Sequence, residues 1–164
     1  MKSMIGTANR SALGLMMGLA ALLLAQPAAH AQPQPSKLQG SKSGEQVYKT
    51  VCIACHEAGV AHAPRFGDHT VWAPLIAEGQ HVLTGHAWVG VRAMPPRGGS
   101  SELTLGEFAR AVAYMARASG GDWTDPDSDL LLRIVKEADK RLGQSIKEQQ
   151  AMQRELHKLV KNAK

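Results

Sequence analysis

The run Cys52-Ile53-Ala54-Cys55-His56 constrains this chain more than any other feature. Two thiols at this spacing, followed at once by an imidazole, are the attachment signature of a c-type haem. Each thiol adds across one haem vinyl group, and a short bridge suffices to reach both. His56 then lies beneath the ring with a nitrogen facing the iron as proximal ligand. Two other chemistries use a C-x-x-C pair. A redox dithiol does not require the adjacent histidine and goes with a βαβ pattern, which this sequence lacks. A zinc site usually needs a second ligand pair, and the chain has only two cysteines. Covalent haem c is the reading that uses all three side chains.

The N-terminus is consistent with that chemistry. Lys2 and Arg10 precede an uncharged stretch, residues 11–25, of mostly Leu, Met, Ala and Gly, and Ala29-His30-Ala31 offers an A-x-A cleavage site. This is the anatomy of a secretory signal over residues 1–31. The apolar run is short for a membrane span of roughly 20 residues. An exported, periplasmic protein is expected, because covalent haem is joined to reduced apoprotein on that side of the bacterial inner membrane. With both thiols taken by haem none is left for a disulfide, and the buried cofactor acts as the staple of a small core.

Residues 32–43 are rich in Pro, Gln, Ser and Lys without periodicity, and read as a flexible leader. Residues 44–123 hold all seven aromatics of the chain, so the core belongs there. Between Gln32 and Asp125 there are eight Lys+Arg and eight Asp+Glu, a formally neutral stretch. Val47, Tyr48 and Val51 give one helical face leading into the haem motif. Thr104-Leu105-Gly106-Glu107 is a capping box opening a helix with Leu105, Phe108, Val112 and Met115 on one side, ending near Ser119-Gly120-Gly121. Shorter helical pieces fall around Val71 to Ile76 and His81 to Val91. No segment alternates as a strand would. The fold class predicted is all-α.

Haem iron bound by one histidine either keeps an open face or closes it with Met or a second His. Met94 precedes Pro95-Pro96, and prolines forbid helix and stiffen the backbone there. A thioether is a weak neutral ligand, so a rigid loop is what such coordination needs. Met94 is the candidate sixth ligand, against the plainer role of core filler that Met115 illustrates. His62, His69, His81 and His86 are the bis-histidine alternatives.

With these residues in view, the stretch from Gly44 to about Gly121 resembles a class I c-type cytochrome, most closely the small bacterial cytochrome c-five group. The match is carried by Gly44 and Tyr48, the haem motif, Gly59-Val60-Ala61, Ala63 to Asp68, Trp72-Ala73-Pro74, Ala93 to Gly99, and Tyr114-Met115. The resemblance implies thioether links at Cys52 and Cys55, with His56 proximal and Met94 distal. It implies that the Pro64 carbonyl accepts a hydrogen bond from the other ring nitrogen of His56, fixing the ring and tuning its basicity. Gly44 and Tyr48 would let the first helix cross the last closely, near Tyr114. Arg65, Trp72 and Arg97 become neighbours of the haem propionates, Trp72 being the cofactor-binding candidate among them. A neutral haem domain lacks the basic ring of mitochondrial cytochrome c, so an apolar patch at the haem edge is the expected contact.

Residues 126–164 extend beyond the resemblance. Asp125-Pro126 is a candidate cap and first-turn pair, with Asp127 and Asp129 complementing the helix dipole. Leu131, Val135, Ala138, Leu142, Ser145, Gln149, Met152, Leu156 and Leu159 follow at heptad-like spacing, weakened at Gly143. The segment holds nine Lys+Arg and six Asp+Glu. It reads as a helical amphipathic tail that folds back on the haem domain, pairs as a homodimer, or docks a partner or an anionic membrane surface.

If His56 and Met94 fill both axial positions, no site is left for substrate, and the iron only changes oxidation state. The expected function is a periplasmic single-electron carrier between redox proteins of a respiratory chain, with no catalytic residue and no nucleic-acid partner. Two rivals remain. One is a gas-binding or peroxidase-type protein with an open iron and His86 or Arg92 as its polar distal residue. The other is a cytochrome subunit held in an oxidase or dehydrogenase complex by the tail.

Overall fold

The computed structural model describes residues 39–163, so the expected signal sequence and most of the expected leader lie outside the described residues. Six α-helices follow in order: α1 (Gly44–Val47), α2 (Ile53–His56), α3 (His69–Ala77), α4 (Gln80–Val89), α5 (Leu105–Ala118) and α6 (Ser128–Asn162). Among the described residues there is no strand, only an isolated bridge between Val91 and Met94. The all-α expectation holds.

Four of the six helices start on a side-chain cap: Ser43, Asp68, Thr104 and Asp127. Ser43 and Gln46 form a reciprocal capping box at α1: Gln46 N–H donates to Ser43 Oγ at 3.2 Å, and Ser43 N–H to Gln46 Oε1 at 2.8 Å. A turn of π-helix, Tyr48–Cys52, then joins α1 to α2. The Thr50 hydroxyl donates to Gln46 O within that turn, at 2.9 Å, a side-chain competitor for a helical carbonyl. At α5 the expected box is present, with Thr104 Oγ1 accepting from Glu107 N–H and Glu107 Oε2 from Thr104 N–H.

Helix α5 is the axis of the core, burying Phe108, Ala109, Val112, Met115 and Ala116. α1 crosses it where a Cβ on Gly44 would collide with the Arg110 carbonyl, so only glycine admits the approach. One turn on, Tyr48 stacks on Phe66 with centroids 4.5 Å apart, and Tyr114 closes the cluster at 5.7 Å and 5.4 Å. The close crossing implied for Gly44, Tyr48 and Tyr114 is observed. A second cluster joins Leu105 and Ala109 of α5 to Leu130, Leu131 and Ile134 of α6, and Trp88 packs against both clusters.

Three expectations need correction. Residues 39–43 at the end of the leader are tied down. Glu107 Oε1 accepts from the backbone N–H groups of Ser41 and Lys42, both at 3.1 Å, and Arg110 donates to the carbonyls of Gln39 and Lys42, both at 2.8 Å. A buried carboxylate and a guanidinium on α5 hold this segment, and a polar composition does not reveal such long-range partners. Second, α6 is capped by Asp127, whose Oδ1 accepts from Leu130 N–H at 2.7 Å, and starts at Ser128 rather than at Asp125-Pro126. Third, the tail divides. Leu130, Leu131, Ile134 and Ala138 are buried, and α6 passes so close to α4 that a Cβ on Gly85 would lie 3.1 Å from Ala138 N. From Leu142 onward no described residue is buried, and Leu142, Met152, Leu156 and Leu159 are at least half exposed. Of the heptad-like seam only Leu131 and Ala138 are buried; Val135 is exposed, and Leu130 and Ile134, which the seam did not include, complete the covered face.

Candidate functional site

The motif is carried by the π-turn and α2. Cys52, the last residue of that turn, is buried within the main core cluster, while Cys55 is exposed. Burial pushes the Cys52 thiol up to about 11, with the neighbouring Cys55 adding to the shift. His56, at the end of α2, is buried, with 8% of its surface exposed.

His56 is held from two sides. Its Nδ1 lies 2.8 Å from the Pro64 carbonyl. A carbonyl only accepts, so Nδ1 carries the proton and Nε2 keeps its lone pair for a metal. The backbone carbonyl of His56 accepts from Phe66 N–H at 2.8 Å. The chain between makes its reversal through Ala61 and His62, with φ of 50° and 64°. Side chains other than glycine rarely adopt this region, and such local strain clusters at functional sites.

Met94 lies in a braced turn. Val91 N–H donates to the Met94 carbonyl at 3.1 Å, and Met94 N–H to the Val91 carbonyl at 2.9 Å. Pro95 and Pro96 follow, and Arg97 stacks over Trp88 at 4.6 Å while donating to the Ser101 carbonyl. The Met94 side chain is partly buried and packs against the same core cluster that contains Cys52 and Trp72. Met115 is core filler, 2% exposed.

Trp72 is buried, and its indole N–H donates to the Arg65 carbonyl at 2.9 Å. Its donor is thus used within the protein, and what it offers a neighbouring cofactor is the ring. The Arg65 guanidinium donates to the Glu57 carbonyl at 3.3 Å. His86 is placed elsewhere, at the α4–α6 contact, with Nε2 3.2 Å from Glu137 Oε1 and Nδ1 3.7 Å from Glu78 Oε2. Burial alone would raise the Glu137 carboxyl, but Lys140 and His86 outweigh it and hold the group below its ordinary range. Both nitrogens of His86 therefore face carboxylates, which leaves it unsuited to an iron.

The donor set fits a haem: two thiols on successive turns, an imidazole with its tautomer fixed, and a thioether on a stiff loop against one shared core. Among the described residues no three His, Cys, Asp or Glu side chains gather to hold a metal by themselves. The π-turn and the left-handed residues Ala61, His62, Arg92 and Arg97 have no signature in the sequence, because these residue types ordinarily favour other backbone geometries.

Comparison with known proteins follows the same stretch. Residues 40–115 match a family profile described as cytochrome C oxidase, cbb3-type, subunit III. The chain is 37% identical over 81 residues to cytochrome c-555 of Chlorobaculum tepidum, covering 47% of this chain and 75% of that protein. It is 32% identical over 79 residues to cytochrome c5 of Azotobacter vinelandii, covering 47% of this chain and 95% of that protein. A solved cytochrome from a structure described as an electron transfer complex of nitrite reductase with cytochrome c is 42% identical, with a TM-score of 0.46, covering 49% of this chain and 99% of that one.

Proposed function

Because the chain belongs to the c-type cytochromes, in the group of cytochromes c5 and c-555, we propose that it is an exported single-electron carrier whose one haem c is bound through Cys52 and Cys55, with His56 and Met94 as axial ligands. Proteins of this family bind haem c covalently and carry electrons. The observation that carries the ligand assignment is the 2.8 Å hydrogen bond from His56 Nδ1 to the Pro64 carbonyl. It leaves a single nitrogen, Nε2, free to bind a metal, on the residue that directly follows the two thiols.

Haem c supplies a one-electron iron couple. The chain's residues decide how that couple is used. Pro64 orients the imidazole and raises its basicity as a ligand. Met94, a neutral thioether, favours the ferrous state and raises the potential, and the hydrogen-bonded Val91–Met94 turn keeps its sulfur in place. Trp72, through its ring, and the core around Cys52 exclude water. Ile53 and Val60, 38% and 50% exposed beside the motif, form the rim through which a redox protein would make apolar contact. The N-terminal segment 1–31 directs export to the periplasm, and among the described residues no helix is long and apolar enough to cross a membrane. Donor and acceptor would then be redox proteins of a respiratory chain.

The test is the visible and near-infrared spectrum of the purified exported protein, oxidised and reduced. Sharp low-spin bands with the weak ferric band of sulfur ligation are expected. Met94→Ala should keep the haem attached, open the sixth position to carbon monoxide and lower the potential. A high-spin wild-type spectrum, or an unchanged Met94→Ala spectrum, would sink the ligand assignment. A protein always isolated in fixed ratio with oxidase or dehydrogenase subunits would replace the free carrier with a complex subunit.

A further inference from the structure

Helix α6 carries seven of its eight Lys and Arg on one side, Arg141 alone lying outside that face. At 100° per residue, Arg133, Lys136 and Lys140 in the packed third fall on the same face as Lys147, Arg154, Lys158 and Lys161 in the outer part, within an arc of roughly 80°. All are exposed, and between residues 133 and 161 that arc holds no carboxylate, only Gly143 and Ala151 besides. The stripe is about 42 Å long at 1.5 Å per residue. Two of its members lean on an acid one turn earlier, Lys140 on Glu137 at 3.3 Å and Lys158 on Glu155 at 3.6 Å. At the start of the stripe His81 of α4 joins Arg133, Lys136 and Lys140 around a groove that Glu137 also lines. The neutral haem-domain sequence supplies no comparable excess, so the positive field of the described residues is concentrated on this helix.

We propose that this basic stripe is a docking surface for an acidic redox protein, which it steers towards the carrier; the proposal rests on the electron-carrier reading for the nature of the partner. A lipid surface fits α6 less well. The exposed apolar residues Leu142, Ile146, Met152, Leu156, Leu159 and Val160 lie on the side opposite the cations. A helix lying on its apolar side holds the stripe about 10 Å away, near a Debye length. Glu148 and Glu155 lie between the stripe and the apolar side, Glu155 paired with Lys158. No Trp, Tyr or Phe occurs on α6 to anchor it. A second copy of the chain suits the apolar side alone, because two basic stripes repel.

The experiment titrates the full-length oxidised holoprotein with poly-L-glutamate, as the acidic polypeptide probe, and with phosphatidylglycerol vesicles at matched charge. Wild type should bind the polypeptide at about 20 mM salt and weaken steeply by about 200 mM. The variant K147E/R154E/K158E/K161E should bind at least about threefold more weakly at low salt, and the corresponding glutamine variant should fall between the two. A loss of less than about threefold would overturn the proposal, as would preferential binding to the vesicles. The near-infrared sulfur band, read in the same samples, reports separately on the carrier reading: its absence from wild type refutes that reading and leaves the binding result intact.

Discussion

The haem-binding half and the outer part of α6 are opposites. The first is assembled from short pieces, a four-residue α1, a π-turn, a four-residue α2 and turns through left-handed residues. Its segments are held by partners far away in sequence, such as Glu107 on residues 41 and 42. The second is one regular helix, which from Leu142 on buries nothing. Irregular backbone costs free energy and is kept where it aims a side chain. A long helix needs only its own ladder and caps, and what it presents is a repeating surface. Here the irregular half carries the candidate ligands and the regular one carries charge.

Four substitutions probe that contrast. His56→Ala removes the one imidazole aimed by the Pro64 carbonyl, and no stable holoprotein should be recovered from export; haem absorbance per polypeptide measures it. Ile134→Ala, in the packed part of α6, empties a fully buried site and should cost about 3 kcal/mol in denaturant unfolding. A loss near zero would mean that α6 does not belong to the core and that the contrast begins earlier than Leu142.

Glu107→Gln comes next, at about 2 kcal/mol near neutral pH. Burial would raise this carboxyl, but the N–H groups of Thr104, Lys42 and Ser41 and the Thr104 hydroxyl outweigh it and hold it at about 2, against an ordinary 4.5. The folded value is depressed, so the stabilisation is complete above pH 4.5 and drains away as pH falls towards 2. The gap between wild type and variant should therefore close over that interval in acid unfolding, and a gap independent of pH would contradict the clamp. Leu156→Ala, in the outer part of α6, should change stability of the monomer by less than about 0.5 kcal/mol. A larger loss would mean that the apolar side is covered in solution, and sedimentation would show whether a second copy covers it.

Much of the candidate site can be named from the sequence because its chemistry is local. Cys52, Cys55 and His56 occupy one short helical stretch, Met94 stands beside two prolines, and the Thr104–Glu107 capping box closes within one turn. His86 shows the limit. As an isolated histidine it was open to an iron, and only the α4–α6 contact, which places Glu137 beside one nitrogen and Glu78 near the other, assigns it elsewhere. The leader shows the same limit, since nothing between Gln39 and Ser43 announces that Glu107 and Arg110 will bind it.

The sequence by itself determined the haem chemistry and the all-helical class, because each follows from residue type and short-range spacing. Tertiary structure alone decided which nitrogen of His56 is free, where the Met94 loop is braced, and how far along α6 burial continues. Those depend on groups tens of residues apart reaching one place, and a helical stripe has the same pattern whether or not a neighbour covers it.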